Sequence, residues 1–285
     1  MKNLFLIAIM LFSILSLNAQ RSLQTYQLYN AKGKKTTFKK MLKASQAKDM
    51  VFFGELHNNP ICHWLQMELT KAIHAERNLQ IGVEMFERDN ETDLQRYLNN
   101  EISKAAMDTL IRFWGNYETD YAPLLEYAKA NKIPYTGTNI PRRYARTVYK
   151  SDFEGLYALS DEEKSFIAPL PIIYDAELKP YKDMMSMMGG HGGATLPKAQ
   201  AIKDATMAHF ILEFWDKKSL FLHINGAYHS DYFSSILWYL EQSQTNLNMM
   251  TITTLIQDDI HTFDTEELGK ADFYLVIDSD VTTSY

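Results

Sequence analysis

The chain has 285 residues, of which 46% are apolar and 22% are charged, and this is the composition of a globular protein with a sizeable core. Its formal net charge is −6 and it has no long basic run, so nucleic acid is not expected as a partner. The single cysteine, Cys62, excludes an intramolecular disulfide. Because Cys62 lies in an amphipathic helical pattern, we interpret it as a small buried residue and not as a nucleophile.

The N-terminal residues have the pattern of a secretory signal peptide. Lys2 precedes the apolar run LFLIAIMLFSILSL at residues 4–17, which is shorter than the roughly 20 apolar residues of a membrane-spanning helix. We therefore predict a signal peptide at residues 1–20, with cleavage around Ala19 or Gln20, and an exported protein that is periplasmic or associated with the outer membrane. No cysteine lies at the end of the apolar run, so a lipid anchor is not expected.

Strands and helices are predicted to alternate along the rest of the chain. Apolar segments rich in β-branched and aromatic residues predict strands at 50–54, 80–85, 135–138, 219–225, 250–256 and 272–278. Helical periodicity predicts helices at 60–77, 122–131, 197–217 and 230–242. This alternation predicts an α/β fold, with a mostly parallel central sheet flanked by helices. The stretches at about 86–118 and 142–195 lack a convincing strand, so we predict an inserted helical cap within a single domain of residues 21–285.

Polar residues follow several of the predicted strands. In VFFGELHNNP, residues 51–60, an apolar strand ends on Glu55 and His57 before a helix that begins at Pro60. The next strand ends on Glu84, and a later one is followed by His229, which repeats the Gly-x-x-His spacing of His57. Arg142 follows another strand beyond a proline. One interpretation is that these polar residues are unrelated surface groups, and that Glu55 pairs with an arginine while His57 caps a helix.

We favour a shared polar cluster at the carboxyl edge of the sheet. Charged groups next to apolar strands are costly unless they are paired or bound to a ligand, and open α/β sheets carry their sites at this edge. The predicted members of the cluster are Glu55, His57, Glu84, Arg142 and His229.

Several segments resemble the ChaN family of haem-binding, iron-regulated proteins, within the Tiki and erythromycin-esterase-like superfamily. They are FFGELHNNPICHWLQMEL, IGVEMFERDNETDLQRYL, YAPLLEYAKANKIPYTGTNIPRRYAR, HGGATLPKAQAIKDATMAHFI and INGAYHSDYFSSILWYL. The resemblance implies an exported α/β protein of haem and iron uptake, with haem as cofactor. It also implies an open tyrosine-type iron ligand with a histidine nearby, a homodimer, and an outer-membrane haem receptor as a partner. The residues that fall in the corresponding segments as candidate haem contacts are His191, Tyr181 and Tyr144.

The same polar cluster supports an alternative function, since relatives in the superfamily are hydrolases. His57, His229 and Glu55 are candidate ligands of a divalent metal ion, which would activate a water molecule. Without a metal, a histidine would deprotonate water directly while a glutamate orients the imidazole, and Arg142 would stabilise an oxyanion. The sequence contains neither Gly-x-Ser-x-Gly nor His-Glu-x-x-His, so a serine hydrolase and a zincin are not expected.

Overall fold

A seven-stranded sheet forms the centre of the protein. The computed structural model describes residues 23–187 and 193–285. The strands are Tyr26–Asn30 (β1), Met50–Glu55 (β2), Leu79–Glu87 (β3), Tyr135–Asn139 (β4), Leu220–Gly226 (β5), Met249–Gln257 (β6) and Phe273–Asp278 (β7). Their order is β1-β7-β6-β2-β5-β3-β4, and every neighbouring pair is parallel except β1 and β7. The predicted α/β fold with a mostly parallel sheet is confirmed.

Helices cover the sheet and connect its strands. They are Phe38–Gln46 (α1), Pro60–His74 (α2), Glu91–Leu98 (α3), Lys104–Leu110 (α4), Ala122–Ala130 (α5), Arg142–Ser151 (α6), Asp161–Lys164 (α7), Lys179–Met187 (α8), Thr195–Phe214 (α9) and Ile236–Ser243 (α10). Short 3-10 turns lie at Arg88–Asn90, Phe153–Ala158, Ala227–His229, Asp231–Phe233 and Thr265–Glu267, and Tyr117–Tyr121 is a π-helical turn. Within residues 23–187 and 193–285, no helix combines the length and apolar character that crossing a membrane requires.

The six predicted strands coincide with β2 to β7 to within two residues at each end. β1 was not predicted, because its sequence YQLYN is short and half polar. The stretches predicted as a cap contain α3 and α4 in the first part and α6 to α8 in the second. Their description as an inserted cap remains a prediction, and the predicted signal peptide lies outside the described residues.

The pleat of β2 assigns its side chains to two separate cores. Every residue of β2 and β5 is buried, as expected for central strands covered by helices on both faces. Val51 and Phe53 belong to the core that contains Leu65 of α2, whereas Phe52 belongs to the core that contains Ile211 of α9. Since successive residues of a strand face opposite sides, the last residue of β2, Glu55, lies on the α2 face.

Candidate functional site

Two hydrogen-bonded networks lie at the carboxyl edge of the sheet. The first, which we call the Glu55 network, lies on the α2 face and comprises Glu55, His57, His63, Gln66 and Tyr121. The second, the Glu84 network, lies on the α9 face and comprises Glu84, Tyr181, Gln200, Asp204 and His229. Four of the five residues predicted for the polar cluster therefore belong to one network or the other.

Glu55 is the centre of the first network. It is fully buried, and its Oε1 atom lies 2.9 Å from His57 Nδ1 and accepts a hydrogen bond from the Tyr121 hydroxyl at 2.8 Å. Its Oε2 atom accepts from Gln66 Nε2 at 2.5 Å and lies 3.6 Å from His63 Nδ1. Both carboxylate oxygens are therefore occupied by protein donors, which compensate for the cost of burying the charge.

The loop that carries His57 is held from two sides. The carbonyl of His57 accepts hydrogen bonds from Asn116 Nδ2 at 2.7 Å and lies 3.1 Å from His63 Nε2. Asp120 accepts from Asn116 at 2.6 Å and from the Ser284 hydroxyl at 2.5 Å, while the Ser284 amide donates to the carbonyl of Asn58 at 2.8 Å. Residues distant in the chain thus fix this loop, and with it the imidazole of His57.

His57 has the most exposed imidazole of the two networks. Its side chain is 33% exposed, and the edge of its ring meets Trp114 at 4.7 Å between centroids. Nδ1 is paired with Glu55, while Nε2 has no hydrogen-bond partner among residues 23–187 and 193–285. Burial alone would lower the pKa of His57, but the hydrogen bond that His57 donates to Glu55 and the charge of Glu84 outweigh burial and raise the pKa.

His229 is the centre of the second network and lies between two carboxylates. Its Nε2 atom is 3.2 Å from Glu84 Oε1, and its Nδ1 atom is 2.5 Å from Asp204 Oδ1. Asp204 also accepts from the Tyr181 hydroxyl at 2.7 Å, and Gln200 Nε2 lies 3.1 Å from His229 Nε2. Both ring nitrogens of His229 are therefore engaged.

The charges of this network hold His229 as an imidazolium. Burial lowers the pKa of the imidazole, but the charges of Glu84 and Asp204 raise it to about 10. The pKa of Glu84 is lowered well below its usual range, because the charge of His229 outweighs the effect of burial. The pKa of Asp204 is raised, since its complete burial outweighs the charge of His229. An imidazolium that donates from both nitrogens has no lone pair, so His229 fixes structure here and is not poised as a base.

The two networks meet at Gly226, the last residue of β5. Its amide donates to Glu84 Oε2 at 2.7 Å. A Cβ atom at this position would lie 2.7 Å from His57 Nε2 and 3.5 Å from Glu84 Oε2. The absence of a side chain on Gly226 is therefore what allows His57 of one network to approach Glu84 of the other.

The remaining predicted member of the cluster, Arg142, lies apart from both networks. It is exposed on the first turn of α6, and its side chain makes no hydrogen bond or ion pair within the described part of the chain. Its neighbour Arg143 is paired with Asp89. Asn139, at the end of β4, is buried, and its Oδ1 atom has no partner among the described residues.

The predicted haem contacts are placed as follows. Tyr181 is buried and donates to Asp204, and Tyr144 is buried with its hydroxyl accepting from Arg143 at 2.8 Å. Either hydroxyl would have to leave these partners before it bound iron. His191 lies outside the described residues. The assignment of these three residues to haem remains a prediction.

The arrangement does not favour the predicted metal site of His57, His229 and Glu55. Both nitrogens of His229 and both oxygens of Glu55 already have protein partners. Among residues 23–187 and 193–285, no three His, Cys, Asp or Glu side chains are grouped as ligands of a metal ion. This geometry leaves His57 Nε2 as a ring nitrogen of the edge that has no hydrogen-bond partner among the described residues.

Sequence reasoning missed the helix residues that complete both networks. Gln200 and Asp204 are four residues apart on α9, so they share one face of the helix, and Gln66 lies on the face of α2 that packs against the sheet. Gln66, Gln200 and Asp204 are polar side chains at otherwise apolar helix positions, and this pattern could have indicated them in the sequence. Tyr121 gave no such signal, because it lies in a segment rich in aromatic residues.

The fold and the edge networks define an α/β protein whose buried carboxylates hold two histidines at the carboxyl ends of its central strands. The family model described as "Haem-binding uptake, Tiki superfamily, ChaN" matches residues 41–240, and the chain belongs to this family. The match extends from α1 into α10, and it includes every residue of the two networks.

Solved structures share the fold at low sequence identity. ChaN of Campylobacter jejuni, solved with cofacial haem binding, superposes with a TM-score of 0.67 and 16% identity, over 90% of this chain and 98% of that one. A Bacillus cereus protein superposes with a TM-score of 0.53 and 10% identity, over 89% of this chain and 95% of that one.

Protein RETICULATA-RELATED 5, chloroplastic, of Arabidopsis thaliana is similar in sequence. It is 25% identical over 146 residues, which are 48% of this chain. The match spans only 19% of the length of that relative.

Proposed function

We propose that this protein binds haem and acts in haem or iron uptake. The observation that carries the proposal is the family match over residues 41–240, which includes the sheet edge and both networks. The fold shared with ChaN of Campylobacter jejuni, whose structure has cofacial haem binding, supports the same proposal. Cofacial binding brings two haems face to face, so we also propose a homodimer as the haem-bound form. For the proposed role in uptake, we propose an outer-membrane haem receptor as the partner of this protein.

Adding haemin to the purified protein is expected to shift the Soret band to that of a protein-bound haem and to saturate at one haemin per chain. The measurement is an absorption titration, followed by transfer of the bound haem to apomyoglobin to show that binding is reversible. A spectrum that stays that of free haemin at every ratio would contradict haem binding.

We further propose that the chain is exported, with residues 1–20 removed as a signal peptide. Mass spectrometry of the protein recovered from the periplasmic or outer-membrane fraction is expected to show a mature chain that begins near Arg21. The matched control, Leu11→Arg, interrupts the apolar run and should leave the precursor in the cytoplasm. Recovery of the wild-type chain in the cytoplasm with Met1 still attached would refute export.

A second candidate function is hydrolysis with His57 as a metal-independent general base. The observation that favours it is the pairing of Nδ1 with Glu55, while Nε2 has no hydrogen-bond partner among the described residues. An imidazole oriented in this way has its lone pair on Nε2 and is able to accept a proton from water. Because the pKa of His57 is raised above its ordinary 6.5, the fraction in the basic form increases with pH through that raised value.

On this second proposal, His57→Ala is expected to lower ester or peptide hydrolysis by about 100-fold or more, as for loss of a general base. A chelator should have no effect, and the wild-type rate should rise with pH above 6.5. His261→Ala, a change at an exposed histidine, serves as the control. Equal activity of His57→Ala and the wild type would exclude His57 as the base.

A further inference from the structure

The basic residues of this chain are unevenly distributed along its sequence. Residues 21–48 contain eight lysines and arginines and no aspartate or glutamate, whereas residues 49–285 contain 20 lysines and arginines and 35 aspartates and glutamates. Six of the eight lie within twelve residues: Lys32, Lys34, Lys35, Lys39, Lys40 and Lys43. A basic segment in an otherwise acidic chain indicates a surface for an anionic partner.

The first part of this segment is a fixed turn that follows β1. Asn30 Oδ1 accepts hydrogen bonds from the amides of Lys32 at 3.0 Å and Lys34 at 3.1 Å. Gly33 has φ +64°, which glycine adopts without strain, and its amide donates to the carbonyl of Asn30 at 2.9 Å. The backbone of Lys32 and Lys34 is therefore held in place, and both residues are exposed.

The second part of the segment is α1, whose lysines share one side of the helix. Lys39, Lys40 and Lys43 are exposed, whereas Met41 and Ser45 are buried. At 3.6 residues per turn, the three lysines lie within about 100° of arc, opposite the buried positions. The burial of one side of α1 in the core therefore leaves a basic outer side.

These lysines have no anionic partner within the protein, except for Lys35. Among residues 23–187 and 193–285, no carboxylate forms an ion pair with the residues that we call the lysine face: Lys32, Lys34, Lys39, Lys40 and Lys43. Lys35 lies near Asp259, whose pKa is lowered by a hydrogen bond from a neighbouring backbone amide and also by the charge of Lys35. The five ammonium groups of the lysine face are thus available to an external anion.

Exposed apolar groups lie beside the lysine face. A groove of about 400 Å³ lies between β1 and the start of α1, and Leu23, Tyr26 and Phe38 line it. Leu23 is fully exposed, and Trp64, which is 47% exposed, contacts Tyr26 at 5.7 Å between ring centroids. Leucine and tryptophan side chains next to lysines are typical of proteins that bind the membrane–water interface, where the apolar groups enter the headgroup region.

We propose that the lysine face docks this protein on a bilayer that contains anionic phospholipid. The negative headgroups complement the unpaired ammonium groups, and Leu23 and Trp64 supply the apolar contacts that a bilayer offers. Because residues 49–285 carry an excess of acidic groups, the same bilayer repels the other surfaces of the protein, so the lysine face should be the side turned toward the membrane. This inference does not depend on the proposed haem binding.

Sedimentation with sucrose-loaded vesicles tests the proposal. The wild type should bind vesicles that contain phosphatidylglycerol, and it should bind vesicles of phosphatidylcholine alone at least about tenfold more weakly. High salt should abolish the difference, because it screens exposed charges. Residues 4–17 are apolar and contribute equally to both kinds of vesicle, so the ratio of the two affinities reports the charges of the protein.

The variant Lys39→Gln/Lys43→Gln removes two charges from the exposed side of α1, and it should fold because glutamine is a good helix former. Its affinity for the anionic vesicles should fall about 25-fold, at about fivefold for each lysine near the surface. The matched control is Arg146→Gln/Lys150→Gln, which removes two exposed charges at the same spacing from α6. The control should bind with wild-type affinity.

Three results would overturn the inference. The first is equal affinity of Lys39→Gln/Lys43→Gln and the wild type for the anionic vesicles, and the second is an equal loss in this variant and in the control. The third is a wild type that does not bind the anionic vesicles. If that wild type forms a salt-sensitive dimer in analytical ultracentrifugation, and Lys39→Gln/Lys43→Gln dissociates it, the lysine face contacts an acidic surface of a second copy and not a membrane.

Discussion

Replacing His229 by alanine is expected to lower the free energy of unfolding by about 3–5 kcal/mol, the usual range for breaking a buried ion pair. The change removes the imidazolium that lies between Glu84 and Asp204, and it leaves two buried carboxylates without their cation. The measurement is urea unfolding of the wild type and the variant at the same pH.

His209→Ala is the matched control, because His209 is only partly buried on α9 and pairs with Glu213 at the surface. It should change the free energy of unfolding by less than about 1 kcal/mol. A loss of similar size in both variants would show that the His229 ion pairs do not dominate the stability of this edge.

Because of the same ion pairs, the free energy of unfolding is expected to fall as the pH rises. The pKa of His229 is about 10 in the folded protein, above its ordinary 6.5, so its contribution is fully present below pH 6.5 and is lost as the pH rises through 10. Within that window the free energy of unfolding should fall by up to about 1.4 kcal/mol per pH unit. His229→Ala should lack this component of the slope, and an unchanged slope would contradict the imidazolium.

Gly226→Ala is expected to displace His57 and to separate it from Glu55. The new Cβ would lie 2.7 Å from His57 Nε2, whereas Gly226 has φ −57°, which alanine adopts without strain. The effect is therefore steric, with a cost of about 1–3 kcal/mol from overpacking. The direct measurement is the NMR titration of His57, whose raised pKa should move toward its ordinary value once the imidazole leaves Glu55.

Gly115→Ala is the control for this substitution, because a Cβ atom there would meet nothing within 4 Å. Its His57 titration should match that of the wild type. The double variant Gly226→Ala/His57→Ala should recover much of the stability lost in Gly226→Ala, since the colliding ring is gone. If the double variant does not recover this stability, the Cβ atom of Gly226→Ala collides with a residue other than His57.

Much of the fold was predictable, because central parallel strands are long apolar segments separated by helical periodicity. The strand ends also indicated Glu55, His57, Glu84 and His229, since the parallel arrangement places these ends at one edge. β1 could not be predicted, because its pairing with β7 depends on distant residues and not on its own apolar pattern.

The division of the edge into two networks was not predictable from the sequence. It depends on the pleat, which places Glu55 on the α2 face and Glu84 on the α9 face. It also depends on Asp204, whose contact with His229 is long-range. The exposed position of Arg142 depends on how α6 begins after β4, which residue spacing does not determine.

The two networks assign different roles to the two histidines of the Gly-x-x-His motifs. His57 is oriented by one carboxylate, and its Nε2 atom has no hydrogen-bond partner among residues 23–187 and 193–285. His229 pairs with two carboxylates, one at each ring nitrogen. One motif therefore places a histidine with an unpartnered ring nitrogen at the edge of the sheet, and the other places a histidine in buried ion pairs.

Native mass spectrometry of the folded chain after equilibration with haemin tests haem binding most directly. Unbound haemin is removed by gel filtration, and the mass of the intact protein is then measured without denaturation. We expect one retained haemin per chain, in a homodimer that carries two. A chain that retains no haemin, under conditions in which apomyoglobin retains one, would contradict the proposed haem binding.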